Sequence, residues 1–129
     1  MKNNNYIKLA TVSILLLGLI VMSFSSNNQQ PDVVGTWISN DDNLWKITFT
    51  NDGKRKDYYE GELIVTYTYN ISSSCGEETL TDEYFIKSEE QDGLGYSCDL
   101  INNIYTDSNG EVTLSITSEN GKLHLFTKQ

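Results

Sequence analysis

Across residues 33–129 apolar and polar side chains alternate with a period of two, in short runs separated by clusters of Asn, Asp, Ser and Gly. In residues 62–71, Leu63, Val65, Tyr67, Tyr69 and Ile71 share one face, while Thr66, Thr68 and Asn70 share the other. Successive side chains of an extended chain point to opposite faces, so this alternation predicts a half-buried strand. Trp45, Ile47 and Phe49 alternate in the same way with Lys46, Thr48 and Thr50, and Val112, Leu114 and Ile116 alternate with Thr113, Ser115 and Thr117. Residues 34–39, 80–87 and 123–128 read as further strands. Residues 55–60 are too polar to reveal a buried face, and residues 96–106 hold Ile101, Ile104 and Tyr105 without a clean period, which predicts a bulge or bend there. No run repeats at helical spacing.

Turn signals recur between these runs: Asn40-Asp41-Asp42-Asn43, Asn51-Asp52-Gly53, Gly61, the stretch around Gly76, Gln91-Asp92-Gly93, Asp107-Ser108-Asn109-Gly110 and Glu119-Asn120-Gly121. Short links of this kind join neighbouring antiparallel strands. A sheet of many short strands must close or cover its edges to avoid pairing with other chains. The pattern therefore predicts an all-β fold, an antiparallel up-and-down β-barrel of seven to eight strands over residues 33–129, with a two-layer sandwich as the alternative.

The start of the chain has a different composition. Lys2 and Lys8 precede an uncharged, mostly apolar block over residues 9–24, with small residues at Ser23 and Ser25. Residues 1–25 thus read as an export signal peptide, or as a membrane anchor if left uncleaved, because the block is close to the length that spans a bilayer. Residues 26–32, which include the sole proline, Pro31, read as a flexible linker. The expected location is periplasmic or secreted, with membrane contact only through the N-terminal segment.

Cysteine use agrees with export. Cys75 and Cys98 are the only two, and both lie beyond the leader, in a compartment that permits oxidation. A disulfide between them closes a 24-residue loop, for which chain entropy gives roughly 3.5 kcal/mol.

Charge narrows the partners. Removing Lys2 and Lys8 with the leader takes the formal net charge from −9 to −11. Such a field repels a phosphate backbone and anionic lipid, so no nucleic-acid partner is expected. A cationic partner is favoured instead, including a basic protein.

Gly35-Thr36-Trp37 at the first strand resembles the Gly-x-Trp signature of the lipocalin superfamily, and Trp45-Lys46-Ile47-Thr48-Phe49 with the turn Asn51-Asp52-Gly53 adds to the likeness. The chain resembles the small secreted lipocalin-like domains of Bacteroidetes-type bacteria over most of residues 33–129. That resemblance implies a barrel with Trp37 plugging one end, Gly35 letting the chain pass close by, and a basic residue of the last strand over the ring, for which this sequence offers Lys128. It also implies a small hydrophobic or amphipathic ligand. Many such domains carry a lipid-bearing cysteine after the leader, and this sequence has none there.

Catalytic chemistry finds little purchase. The single histidine, His124, sits between Leu123 and Leu125, so it is expected to face solvent if those two face the core. No nucleophile has an evident base beside it. The carboxylate pairs Glu77-Glu78, Asp82-Glu83 and Glu89-Glu90 fall where exposed turns are expected. The stretch Asp107-Ser108-Asn109-Gly110-Glu111 lacks the spacing of a full calcium loop and reads as a hairpin turn. No enzyme activity, metal or cofactor is expected. The aromatic residues on inward faces carry the functional expectation: Trp45, Tyr67, Tyr69 and Tyr84 are the candidate lining of a site for a small amphipathic ligand. The alternative is an acidic interaction domain for a basic protein such as a lysozyme, built on a packed barrel.

Overall fold

The computed structural model describes residues 29–129, and the predicted leader and part of the linker lie outside them. The described chain forms ten strands: β1 (Gly35–Ser39), β2 (Trp45–Phe49), β3 (Lys54–Tyr59), β4 (Glu62–Ser72), β5 (Ser74–Cys75), β6 (Glu78–Thr79), β7 (Tyr84–Glu90), β8 (Tyr96–Thr106), β9 (Val112–Thr117) and β10 (Leu123–Lys128). There is no helix among the described residues. Eight strands close into a barrel in the order β1-β10-β9-β8-β7-β4-β3-β2, every neighbouring pair antiparallel, and β5 and β6 form a separate small hairpin. The barrel is thus up-and-down, with β1 and β10 closing it through the pairs Trp37 with Lys128 and Ser39 with Phe126.

Register follows the alternation already evident in the chain. Trp37 pairs with Ile47 and Gly35 with Phe49, so β1 and β2 turn the same parity inward. Opposite Ile47 and Phe49 stand Asp57 and Arg55, which places two charged residues of β3 on the lumen side. The polar run that showed no face by itself acquires one from its neighbour. At the end of β3, Glu60 and Gly61 both have positive φ, 51° and 84°. A two-residue loop of that form matches the twist of a tight hairpin, and glycine adopts it without steric cost.

Bulges reset parity in two places. On β4 Val65 pairs with Asp57 but Leu63 pairs with Tyr58, leaving Ile64 as the extra residue. Leu63 was expected on the buried face. Instead the bulge turns it outward, and Leu63 and Ile64 are 53% and 64% exposed. On β8 the register shifts between Ile101 and Asn103, within the stretch where a bulge or bend was expected, and Ile104 then returns to face Leu114.

The last strand departs from expectation. His124 pairs with Ile116 and Phe126 with Leu114, so His124, Phe126 and Lys128 occupy the inward parity while Leu123 lies exposed. The apolar residues of this strand fall on both parities, and the aromatic Phe126, wholly buried, decides which face goes in. The strand expected over residues 80–87 also begins later, at Tyr84, because the β5-β6 hairpin and its return take up the preceding residues.

One cluster fills the lower barrel: Val33, Trp37, Ile47, Phe49, Ile86, Ile101, Leu114, Ile116 and Phe126. Val33 belongs to the strap before β1, and its carbonyl accepts the Trp37 indole N–H at 2.7 Å. Trp37 is 0% exposed, and Lys128 places Nζ 5.2 Å from its ring centroid. Gly35 makes room for that lysine. A Cβ on Gly35 would lie 2.6 Å from Lys128 Cε, and its φ of +133° is one that side-chain-bearing residues rarely adopt.

On the outer face, Cys75 of β5 is bonded to Cys98 of β8, with Cα atoms 5.9 Å apart, as the cysteine count predicts. The bridge pins the small hairpin near the outward pair Phe85 and Leu100.

Three stability outcomes follow from these contacts. Gly35→Ala should destabilise the domain by about 1–3 kcal/mol in urea titration, through backbone strain and displacement of Lys128. Lys128→Met should cost less, because it removes a cation over a ring and leaves the backbone at ease. A smaller loss in Gly35→Ala than in Lys128→Met would contradict this arrangement. Replacing both cysteines with serine, or reducing the bridge, should cost roughly 3 kcal/mol by the same titration.

Candidate functional site

The barrel has two unlike ends. The strap, the β2-β3 turn and the β8-β9 turn lie at one end, which Trp37 fills. The other end carries the β1-β2, β3-β4, β7-β8 and β9-β10 links and forms a mouth.

Arg55 lies between the two ends, 7% exposed, with its guanidinium inside the barrel. Its Nε and Nη2 donate to Asp57 Oδ1 and Oδ2 at 2.8 and 2.9 Å. Its Nη1 donates to Asp99 Oδ2 at 2.8 Å and to Ser88 Oγ at 3.1 Å. The cation also lies 5.4 Å from the Tyr67 ring centroid and 6.0 Å from that of Phe49. Burial by itself disfavours the guanidinium charge, but the hydrogen bonds and charge of Asp57, followed by those of Asp99, reverse the balance and hold the group above its ordinary range. Among the described residues no buried side-chain nitrogen or oxygen lacks a hydrogen-bond partner. One cation and two carboxylates leave the cluster with a formal charge of about −1.

Above this cluster the mouth holds a depression of about 290 Å³ lined by Asp42, Trp45, Asp57, Tyr58, Tyr59, Ile64 and Val65. Trp45 is set edge-on to Phe126 and His124, with ring centroids 5.0 and 5.4 Å away. These two neighbours fix the indole as one wall. Tyr59 donates a hydrogen bond to Asp42, whose nearby negative charge raises the phenol above its ordinary pKa. The bulge at Ile64 brings an aliphatic side chain to the rim that regular pairing would have placed elsewhere.

The four aromatic residues expected to share a site are dispersed. Trp45 lines the mouth. Tyr67 stacks beside Arg55, deeper in the lumen. Tyr69 packs edge-on to Phe49 at 4.9 Å and donates to the Thr50 carbonyl at 3.0 Å, near the strap end. Its phenol is raised by burial and then by the charges of Asp32 and Asp52. Tyr84 lines a separate hollow of about 540 Å³ beside the strap, with Pro31, Asp32, Asn102 and Asn103.

No protein-family model, no curated protein and no solved structure matches this chain.

Arg55, Asp57 and Tyr59 were not legible as site residues because the charged strand β3 offers no hydrophobic face to read, and Asp99 was not because β8 has no clean period. One signal was available. Arg55 is the only arginine in the sequence, and a planar fork that satisfies two carboxylates suits a buried ion cluster better than lysine does. Chemically, the arrangement offers apolar walls above a net negative floor. Among the described residues no group of three or more His, Cys, Asp or Glu side chains is placed to hold a metal ion.

Breaking this cluster should be costly in a specific way. Arg55→Met strands two carboxylates in the lumen and is expected to cost about 3–5 kcal/mol, whereas replacing Arg55, Asp57 and Asp99 together with apolar residues should recover most of that loss. Urea titration of the single and triple variants tests the point, and an Arg55→Met protein as stable as the parent would show that the cluster does not hold the barrel.

Proposed function

We propose that this protein is an exported, non-catalytic binding module of lipocalin-like type that holds a small hydrophobic or amphipathic molecule at the mouth of its barrel. The observation that carries this reading is the depression walled by Trp45, Tyr59, Ile64 and Val65. A concave surface that is mostly apolar, with a few fixed polar groups, is what small-molecule binding requires. The core cluster fills the other end of the lumen, as the alternative of an interaction domain on a packed barrel expects, so the ligand reading rests on the rim and not on a deep channel.

Three further features support the reading. The contact of Gly35, Trp37 and Lys128 is the one that the lipocalin resemblance implies. A disulfide suits an oxidising compartment outside the cytoplasm. The side chains at the mouth are held by one another, Tyr59 by its hydrogen bond to Asp42 and Trp45 by the rings of His124 and Phe126, so the walls are fixed in place.

The test is titration with the neutral fluorescent amphiphile N-phenylnaphthylamine, followed by the rise of the probe's own emission under direct excitation. Binding should weaken about tenfold in Trp45→Ala, the worth of one aromatic contact of roughly 1.4 kcal/mol. It should be unchanged in Tyr84→Ala, whose side chain lies beside the strap. Absence of binding, or a loss confined to Tyr84→Ala, would overturn the mouth as the site.

A further inference from the structure

We infer that the mouth selects an organic cation, an ammonium group attached to a short apolar tail, over a neutral or anionic amphiphile; this rests on the mouth being a binding site. The charge balance of the lumen is the reason. Asp57 lines the depression, and it belongs to a buried cluster in which Arg55 faces two carboxylates, Asp57 and Asp99. The cluster therefore presents about one unit of uncompensated negative charge to whatever occupies the mouth. Asp42 adds a second carboxylate at the rim.

Arg55 does not offset this by serving as an anion hook. Four of its five N–H groups already donate to Asp57, Asp99 and Ser88. Two other cations are committed to aromatic rings. Lys128 lies at the strap end over Trp37, and Lys46 of β2, with the outward parity, holds its ammonium 4.7 Å from the ring centroid of Tyr58, a lining residue that also has the outward parity. Asp57, by contrast, has accepting capacity left, since each carboxylate oxygen carries a second lone pair beyond the one Arg55 uses.

The walls suit the same occupant. Trp45 and Tyr59 are lining residues, and an aromatic ring attracts an ammonium through its negative quadrupole, an indole most strongly among the natural side chains. Ile64 and Val65 line the remaining side and match an alkyl tail. A carboxylate headgroup in the same position would meet Asp57 and Asp42 with like charge, and Arg55 has only one N–H not already donated within the cluster. A volume of about 290 Å³ suits a headgroup and a short chain, not a long acyl lipid.

The experiment compares octylammonium, octanol and octanoate, identical in tail and different in charge, by isothermal titration of the full domain at low ionic strength. Octylammonium should bind about tenfold tighter than octanol, and octanoate should bind weakest. Added salt should narrow the gap, because the rim charge is screened. Asp57→Asn, which takes the cluster to formal neutrality, should bring octylammonium close to octanol. Asp42→Asn, at the rim and outside the buried cluster, should lower the ammonium preference by a smaller factor, and it serves where Asp57→Asn fails to fold. Equal binding of octanol and octylammonium, or tighter binding of octanoate, would overturn the inference and leave the mouth standing as a site. If none of the three binds, the mouth itself falls and the inference falls with it.

Discussion

A guanidinium inside a barrel is tolerable only when its charge and its donors are answered at fixed points, and this requirement ties together much of the molecule. Arg55 on β3 meets Asp57 on its own strand, Ser88 on β7 and Asp99 on β8. Those strands are not all neighbours in the sheet, since β4 and β7 intervene between β3 and β8. The bonds therefore cross the lumen and couple register on one side of the barrel to register on the other. A one-residue slip in β3 would send Arg55 to solvent and bring Lys54 or Lys56 inward, where no carboxylate fork awaits it. Such a cluster adds little net stability compared with an apolar core of the same volume, but it penalises wrong registers heavily.

The same cluster divides the barrel. Below it, apolar residues and Trp37 fill the space, the strap contributes Val33, and Lys128 closes over the indole in the room left by Gly35. Above it, β3 brings Asp57 and Tyr59 to the mouth where an apolar strand would have supplied branched side chains. A shallow depression with aromatic walls is the result. The bulge on β4 contributes as well, moving Ile64 to the rim and releasing Leu63 to the outside. The packed core is concentrated at one end and the depression at the other.

The disulfide works outside this division. It joins a two-strand excursion between β4 and β7 to the outer surface of β8, where Cys75 is buried over the Phe85 and Leu100 pair. Its effect is to shorten the free chain of the unfolded state, independently of what fills the lumen.

The sequence by itself carried the all-β class and most strand positions through its alternation, the bulge-prone stretch of β8 through the break in that alternation, and the cysteine pairing through a count of two, while it left barrel and sandwich both open. Period-two patterning depends only on neighbouring residues, and an even cysteine count leaves one intramolecular pairing. Trp45, Ile47, Phe49, Tyr67, Tyr69, Leu114 and Ile116 all take the parity their own strands foretell. Tertiary structure decided the remainder. The face of β3, the reversal of His124 and Leu123, and the outward turn of Leu63 each depend on what lies across a strand pair. So does the site: Trp45, Tyr67, Tyr69 and Tyr84 share an inward parity but stand at different heights along the axis, and Asp57 and Tyr59 reach the mouth from a strand with no legible face. Parity is a local property of the backbone, whereas height and partner are set by the stagger of a closed sheet, which exists only once all eight strands have met.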